Sequence, residues 1–185
     1  TLKVQKSLLG TLNRISKPIV YFSQKKKHLR FYLNLGKKTR AFKWGILGCG
    51  NIANSFARDL VHIPDAQLWA AASHTPGKSM EFIRRHGGYN AYSTHDELLA
   101  DRNIDVVYIA TPHVFHFEQV KKCLEAGKHV LCEKPLAINE KQAQELIESS
   151  NQNALFLMEA MWTRFLPATV QVRKWIEGNA ICDIT

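Results

Sequence analysis

Acidic residues are missing from the first 43 positions of this 185-residue chain, which hold 12 of its 25 Lys and Arg. All 16 Asp and Glu therefore face only 13 basic residues over positions 44–185, so the formal net charge of +9 belongs to the leader and the rest is weakly acidic. Metal-ligand spacing is missing too. Cys49, Cys123, Cys132 and Cys182 form no C-x-x-C pair and no His-Cys cluster, which argues against a zinc site and a disulfide framework and for the reduced thiols of a cytoplasmic protein. No apolar run approaches the roughly 20 residues of a membrane span, and no charged, apolar and cleavage regions follow in order, so the expectation is a soluble protein without a membrane partner. An opening Met is absent, and the chain closes on Cys182-Asp183-Ile184-Thr185 as an apolar segment begins, which reads as a fragment at both ends.

The leader contains Lys25-Lys26-Lys27 and Lys37-Lys38 interleaved with Tyr21, Phe22, Phe31 and Tyr32. Such a segment has the charge to touch nucleic acid or an anionic membrane, and a basic, acid-free leader also suits an organelle transit peptide. The plainer reading is a disordered or loosely docked extension over residues 1–42, with no nucleic-acid partner expected.

Beyond the leader the pattern is regular. Apolar runs at Leu68 to Ala72, Ile104 to Ala110, His129 to Cys132 and Leu155 to Met158 read as strands, after a first one ending near Leu47. Between them, helices are expected over Asn54 to Val61, Lys78 to His86, a short one from the capping box Thr94-x-x-Glu97 to Ala100, His116 to Ala126, and Asn139 to about Ser150. Pro167 to Glu177, with Gly178 after it, closes the pattern. Alternation of this kind predicts five or six parallel strands in a doubly wound α/β sheet, whose ligands bind at the carboxyl ends of the strands.

At the end of the first strand stands Gly48-Cys49-Gly50-Asn51-Ile52-Ala53, a Gly-x-Gly-x-x-Ala turn opening a helix, which is the dinucleotide-binding fingerprint in its required context. Unpaired N–H groups at the helix start and the positive end of its dipole would face a pyrophosphate. After the second strand, where an acid would accept the ribose hydroxyls of NAD, the chain has Ser73, His74, Thr75 and Lys78. A hydroxyl, an imidazole and an ammonium suit a 2′-phosphate, which favours NADP over NAD; ordinary solvated residues are the alternative. Ala110-Thr111-Pro112-His113-x-x-His116 ends another strand, with cofactor contact or helix capping and packing preferred over a metal role for its histidines. Glu133-Lys134-Pro135 ends the next, where a Lys beside a Glu serves as a pointed donor to a substrate oxygen or as a solvated surface pair.

Taken in order, residues 45–53, residues 104–112 with His116, and residues 126–135 resemble the Gfo/Idh/MocA family of NAD(P)-dependent oxidoreductases. The run Met158 to Pro167 resembles that family's branch of dimeric trans-dihydrodiol and D-xylose dehydrogenases, and the similarity spans residues 43 to about 178. The resemblance implies a Rossmann domain over residues 43–178, with residues 179–185 beginning a second α+β domain beyond this chain. It implies NADP, with NAD as the other option, a sugar or trans-dihydrodiol substrate, no metal, and a homodimer in a full-length form. It places Gly48, Gly50, Asn51, Ile52, Ser73, His74, Lys78, Ala110, Thr111, Pro112, His116, Glu133 and Lys134 at the cofactor, makes Lys134 catalytic, and sets Trp162 on the substrate side with Arg164 closing the cleft. Where the NADP-using branch commonly has an Arg, this chain has His74, and it keeps a second charge at Lys78. The family's acid/base lies in the second domain, so no residue here is assigned that role. Hydride transfer is the expected function, and a truncated NADP(H)-binding module without turnover is the alternative.

Overall fold

A computed structural model of the chain describes residues 41–178 and residue 180. The expectations for the basic extension before residue 41, and for residues 179 and 181–185, lie outside the described residues. The chain divides at Glu159/Ala160 into two compact units.

In the larger unit strands and helices alternate. β1 (Phe42–Leu47) leads to α1 (Asn51–Leu60), β2 (Ala66–Ala72) to α2 (Lys78–His86), and β3 (Asn90–Tyr92) to α3 (His95–Ala100). β4 (Val106–Ile109) passes through a 3-10 turn, His113–Phe115, into α4 (His116–Glu125), then come β5 (His129–Cys132), α5 (Glu140–Gln152) and β6 (Leu157–Glu159). All neighbouring strands are parallel, in the order β3-β2-β1-β4-β5-β6. This is the doubly wound order the alternation predicts, and it reverses direction between β1 and β4, where ligand clefts form.

Strands buried on both faces read as unbroken apolar runs rather than alternating ones, and β4 is buried at all four residues. Leu47, Ala72, Leu98, Val107, Ile109, Val120, Leu124, Val130 and Leu146 form one core between sheet and helices. Local chemistry fixes several helix ends. Thr94 and Glu97 complete the capping box of α3, Asn139 accepts from the Gln142 N–H at the start of α5, and Gly127, at φ +73°, follows the C-cap of α4.

Departures from the predicted bounds have local causes. α1 starts at Asn51 because Gly50 is its N-cap. Leu155 is withheld from β6 because its N–H bonds Ser150 O at 2.9 Å, just after Ala154 turns at φ +53°. Ile104 is withheld from β4, since its N–H bonds Asp101 O and its carbonyl takes the Lys128 ammonium. β3, whose three residues form no apolar run, is not individually expected from the sequence and pairs with Ala70 to Ala72 of β2.

Lys128 is 6 % exposed, and its Nζ donates to Asp101 O at 2.7 Å and Ile104 O at 3.0 Å. Burial lowers its pKa, yet the two carbonyls hold it inside. Lys128→Met strands both acceptors, so chemical denaturation should show a loss on the order of 2 kcal/mol, whereas a surface lysine would show almost none.

In the smaller unit a 3-10 turn, Trp162–Phe165, precedes α6 (Pro167–Glu177), which has Pro in its first turn and an Arg173–Glu177 ion pair at 3.6 Å. Among the described residues no helix is long and apolar enough to cross a membrane.

Candidate functional site

The carboxyl ends of β1, β2, β4 and β5 bring most of the singled-out residues to one edge of the sheet. At the end of β1, Gly48 donates to Ala72 O at 3.0 Å and turns at φ +88°, where a Cβ would stand 3.0 Å from both Ala110 O and Thr111 Cγ2. Only glycine lets the turn lie this close to β4. Gly50 differs: its φ of −85° suits any residue, but nothing stands within 4 Å of an added Cβ, so the position faces open space. Asn51 and Ile52 are exposed beside it, Ala53 is fully buried, and the first turn of α1 carries no acid. Open space, unpaired helix-start N–H groups and no repelling carboxylate fit a pyrophosphate. Between the glycines the half-buried Cys49 thiol is pushed up to about 11 by burial, against the pull of the Lys78 ammonium.

At the end of β2, Ser73 Oγ accepts from the Thr75 N–H at 3.2 Å, and His74 and Lys78 are exposed, Lys78 as the first residue of α2. The His74 ring lies 4.2 Å from that of His95, centroid to centroid. Both border a cavity of about 210 Å³ whose walls include Leu47, Leu99, Phe115 and Gln119. Thr111 Oγ1 donates to Gln119 Oε1 at 2.5 Å, and Gln119 Nε2 lies 3.3 Å from His95 Nδ1, so the Thr111 hydroxyl proton is committed to Gln119.

His95 is 9 % exposed, and its pKa falls from 6.5 to about 4, first through burial and then through facing His74. A group that folds neutral but unfolds protonatable supports stability fully above pH 6.5 and loses it as pH falls toward 4. Unfolding free energies at pH 7.5 and 4.5 should therefore differ more in the wild type than in His95→Gln, by on the order of 2 kcal/mol.

The loop after β5 is held from three elements. Tyr108, on β4, is buried under the Phe56 ring at 3.9 Å and donates its hydroxyl to Glu133 Oε1 at 2.7 Å. Burial, and then that bond, raises the phenol's pKa. Glu133 Oε2 accepts the Lys134 N–H at 3.3 Å, so the carboxylate holds the backbone rather than pairing with the Lys134 ammonium. His116 is 1 % exposed, with Nδ1 2.7 Å from Pro135 O and Nε2 2.9 Å from Thr111 O, which ties the loops after β4 and β5 together. Glu159 Oε1, at the end of β6, accepts the Leu136 N–H at 2.8 Å. The Lys134 side chain stays exposed, and its ammonium has no hydrogen bond or ion pair among the described residues.

Pro112 and His113 lie exposed at the end of β4. Trp162 and Arg164 belong to the smaller unit, Trp162 exposed and Arg164 partly buried, with burial and then Arg173 lowering its pKa. Among the described residues no cluster of three or more His, Cys, Asp or Glu is arranged to hold a metal. Sequence reasoning passed over Tyr108, His95, Gln119 and Glu159. The strand-end rule, applied to β6 as it was to β5, would have pointed to Glu159, which pairs in register with Cys132.

Known proteins resemble this chain in sequence and in fold. The Gfo/Idh/MocA profile, described as an oxidoreductase family with an NAD-binding Rossmann fold, matches residues 42–161. The D-xylose 1-dehydrogenase (NADP(+)) of Hypocrea jecorina is 40 % identical over 151 residues, covering 75 % of this chain and 39 % of that protein. The trans-1,2-dihydrobenzene-1,2-diol dehydrogenase of Xenopus tropicalis is 41 % identical over 146 residues, covering 78 % of this chain and 44 % of that protein. A crystal structure of a 3-ketoreductase from Actinomadura kijaniata with NADP and TDP-benzene superposes with a TM-score of 0.72 at 31 % identity, over 77 % of this chain and 44 % of that one. The chain thus spans less than half the length of these relatives.

Proposed function

The chain belongs to the Gfo/Idh/MocA family of oxidoreductases with an NAD-binding Rossmann fold, and on that footing we propose that it is the cofactor-binding half of an NADP-preferring sugar or trans-dihydrodiol dehydrogenase. The observation that carries the preference is the end of β2, where His74 and Lys78 stand exposed and no carboxylate occupies the ribose-binding position. NADP on its relatives' names supports the same reading.

In this reading the pyrophosphate lies on Gly48 to Ile52, Ser73, His74 and Lys78 receive the 2′-phosphate, and the cavity beside His74 takes the adenine end. Ala110, Thr111 and Pro112 border the nicotinamide end, and His116 and Glu133 shape the loops there. The cofactor supplies hydride chemistry with a carbinol carbon of the substrate. Lys134, whose ammonium has no partner among the described residues, donates to the reacting oxygen and steadies its charge. The family resemblance is what assigns Trp162 to the substrate side and Arg164 to cleft closure. Free Cys49, Cys123 and Cys132 agree with a cytoplasmic protein, and the family resemblance supports a homodimer of the whole protein. The proposed domain is residues 43–178.

Turnover by the natural protein carrying this chain decides the point. NADP-dependent oxidation of D-xylose or a trans-dihydrodiol is expected. Binding of NADPH with no turnover of any pentose, hexose or diol would replace the enzyme by a binding module.

A further inference from the structure

Lys134 sits in a stretch of backbone with few means of being held. Its own N–H goes to Glu133, and Pro135 has no N–H to give, so Leu136 carries the first backbone donor beyond Lys134 that another element can grasp. That donor goes to Glu159 Oε1 at 2.8 Å. Glu159 ends β6 in register with Cys132, the residue before Glu133. The loop is therefore tied to β4 through Tyr108 and Glu133, to α4 through His116 and Pro135 O, and to β6, among the described residues, by the hydrogen bond to Glu159.

Stability does not account for this carboxylate. Glu159 is partly buried and has no cationic partner among the described residues, an arrangement that costs desolvation and returns one hydrogen bond. A neutral acceptor would hold the same N–H at lower cost.

We propose that Glu159 is a positioning residue for Lys134: by holding the Leu136 N–H it fixes the carboxyl side of the Lys134 loop, so that the ammonium is presented to the cofactor cleft. The proposal rests on the reading of Lys134 as the residue beside the nicotinamide. Glu159 touches neither cofactor nor substrate in this account, and it acts only through the backbone of residues 134–136.

The test uses the 185-residue chain, an amine-acylating reagent, NADPH and amide hydrogen exchange, comparing Glu159→Leu, which removes the acceptor, with Glu159→Gln, which keeps it. In the wild type and in Glu159→Gln, saturating NADPH should slow acylation of Lys134 by at least about tenfold, and in Glu159→Leu by less than about twofold. The Leu136 amide should exchange at least about tenfold faster in Glu159→Leu, with the Val130 and Cys132 amides unchanged. If Glu159→Leu loses protection at Val130 and Cys132 as well, Glu159→Asp, shorter by one methylene, replaces it and should weaken the NADPH protection by about threefold. Full NADPH protection of Lys134 in whichever of these two variants keeps its sheet overturns the positioning role. If NADPH fails to slow acylation in the wild type, the reading of Lys134 fails first and the proposal falls with it, so the two failures are told apart.

Discussion

Gly50→Asp lowers the affinity of the chain for NADP by at least about a hundredfold while its unfolding free energy stays within a few tenths of a kcal/mol of the wild type, or rises. The two halves of this expectation come from the same backbone position. Gly50 caps α1 in an extended conformation at φ −85° without a side-chain cap bond, and an added side chain meets nothing within 4 Å. Aspartate is a preferred N-cap, so the fold accepts it. The open space that makes the substitution harmless to the fold is the proposed seat of the pyrophosphate. A carboxylate there meets a like charge at a few ångströms and takes the helix-start N–H groups for itself, a penalty on the order of 3 kcal/mol at the effective dielectric of a partly exposed site. Gly48→Ala makes a useful contrast. It forces a Cβ to 3.0 Å from Ala110 O at positive φ, so it should cost stability as well as binding.

Lys134→Met is the second large effect. Assayed in the natural protein that carries this chain, it should lower kcat by about 10²- to 10⁴-fold, the range typical of a lost acid/base or oriented donor, with kcat/KM falling in parallel. Thermal stability should not change, because the ammonium has no partner among the described residues whose loss would be felt. A fall in cofactor affinity with kcat intact would instead make Lys134 a binding residue only.

The parts of this site that were legible in the sequence are those written in local chemistry. Gly48 and Gly50 announce a turn and an approach, Thr94 and Glu97 announce a cap, and Pro167 and Gly178 bracket a helix, each within a few residues. The sheet followed because buried parallel strands read as apolar runs, and short β3 escaped because Asn90-Ala91-Tyr92 does not. What stayed hidden spans distant residues. The Tyr108–Glu133, His116–Pro135 and Leu136–Glu159 bonds join positions 25, 19 and 23 apart, and each depends on which strand lies beside which and how far a side chain reaches. Glu133 shows the limit most plainly: a neighbouring Glu and Lys suggest an ion pair, whereas the fold sets Tyr108 under the carboxylate and turns the other oxygen to the backbone. Likewise His74 is legible as a strand-end residue, but the His95 ring against it is not, because α3 reaches that edge only through the packing of Leu98 and Leu99 into the core.

Calorimetric titration of the chain with NADP and with NAD at neutral pH tests the central claim most directly. Saturation at one NADP per chain is expected, with NAD bound at least about tenfold more weakly because it lacks the phosphate that His74 and Lys78 are proposed to receive. Equal or tighter binding of NAD would contradict the assignment of the β2 end, and no saturable binding of either nucleotide would contradict the cofactor site itself.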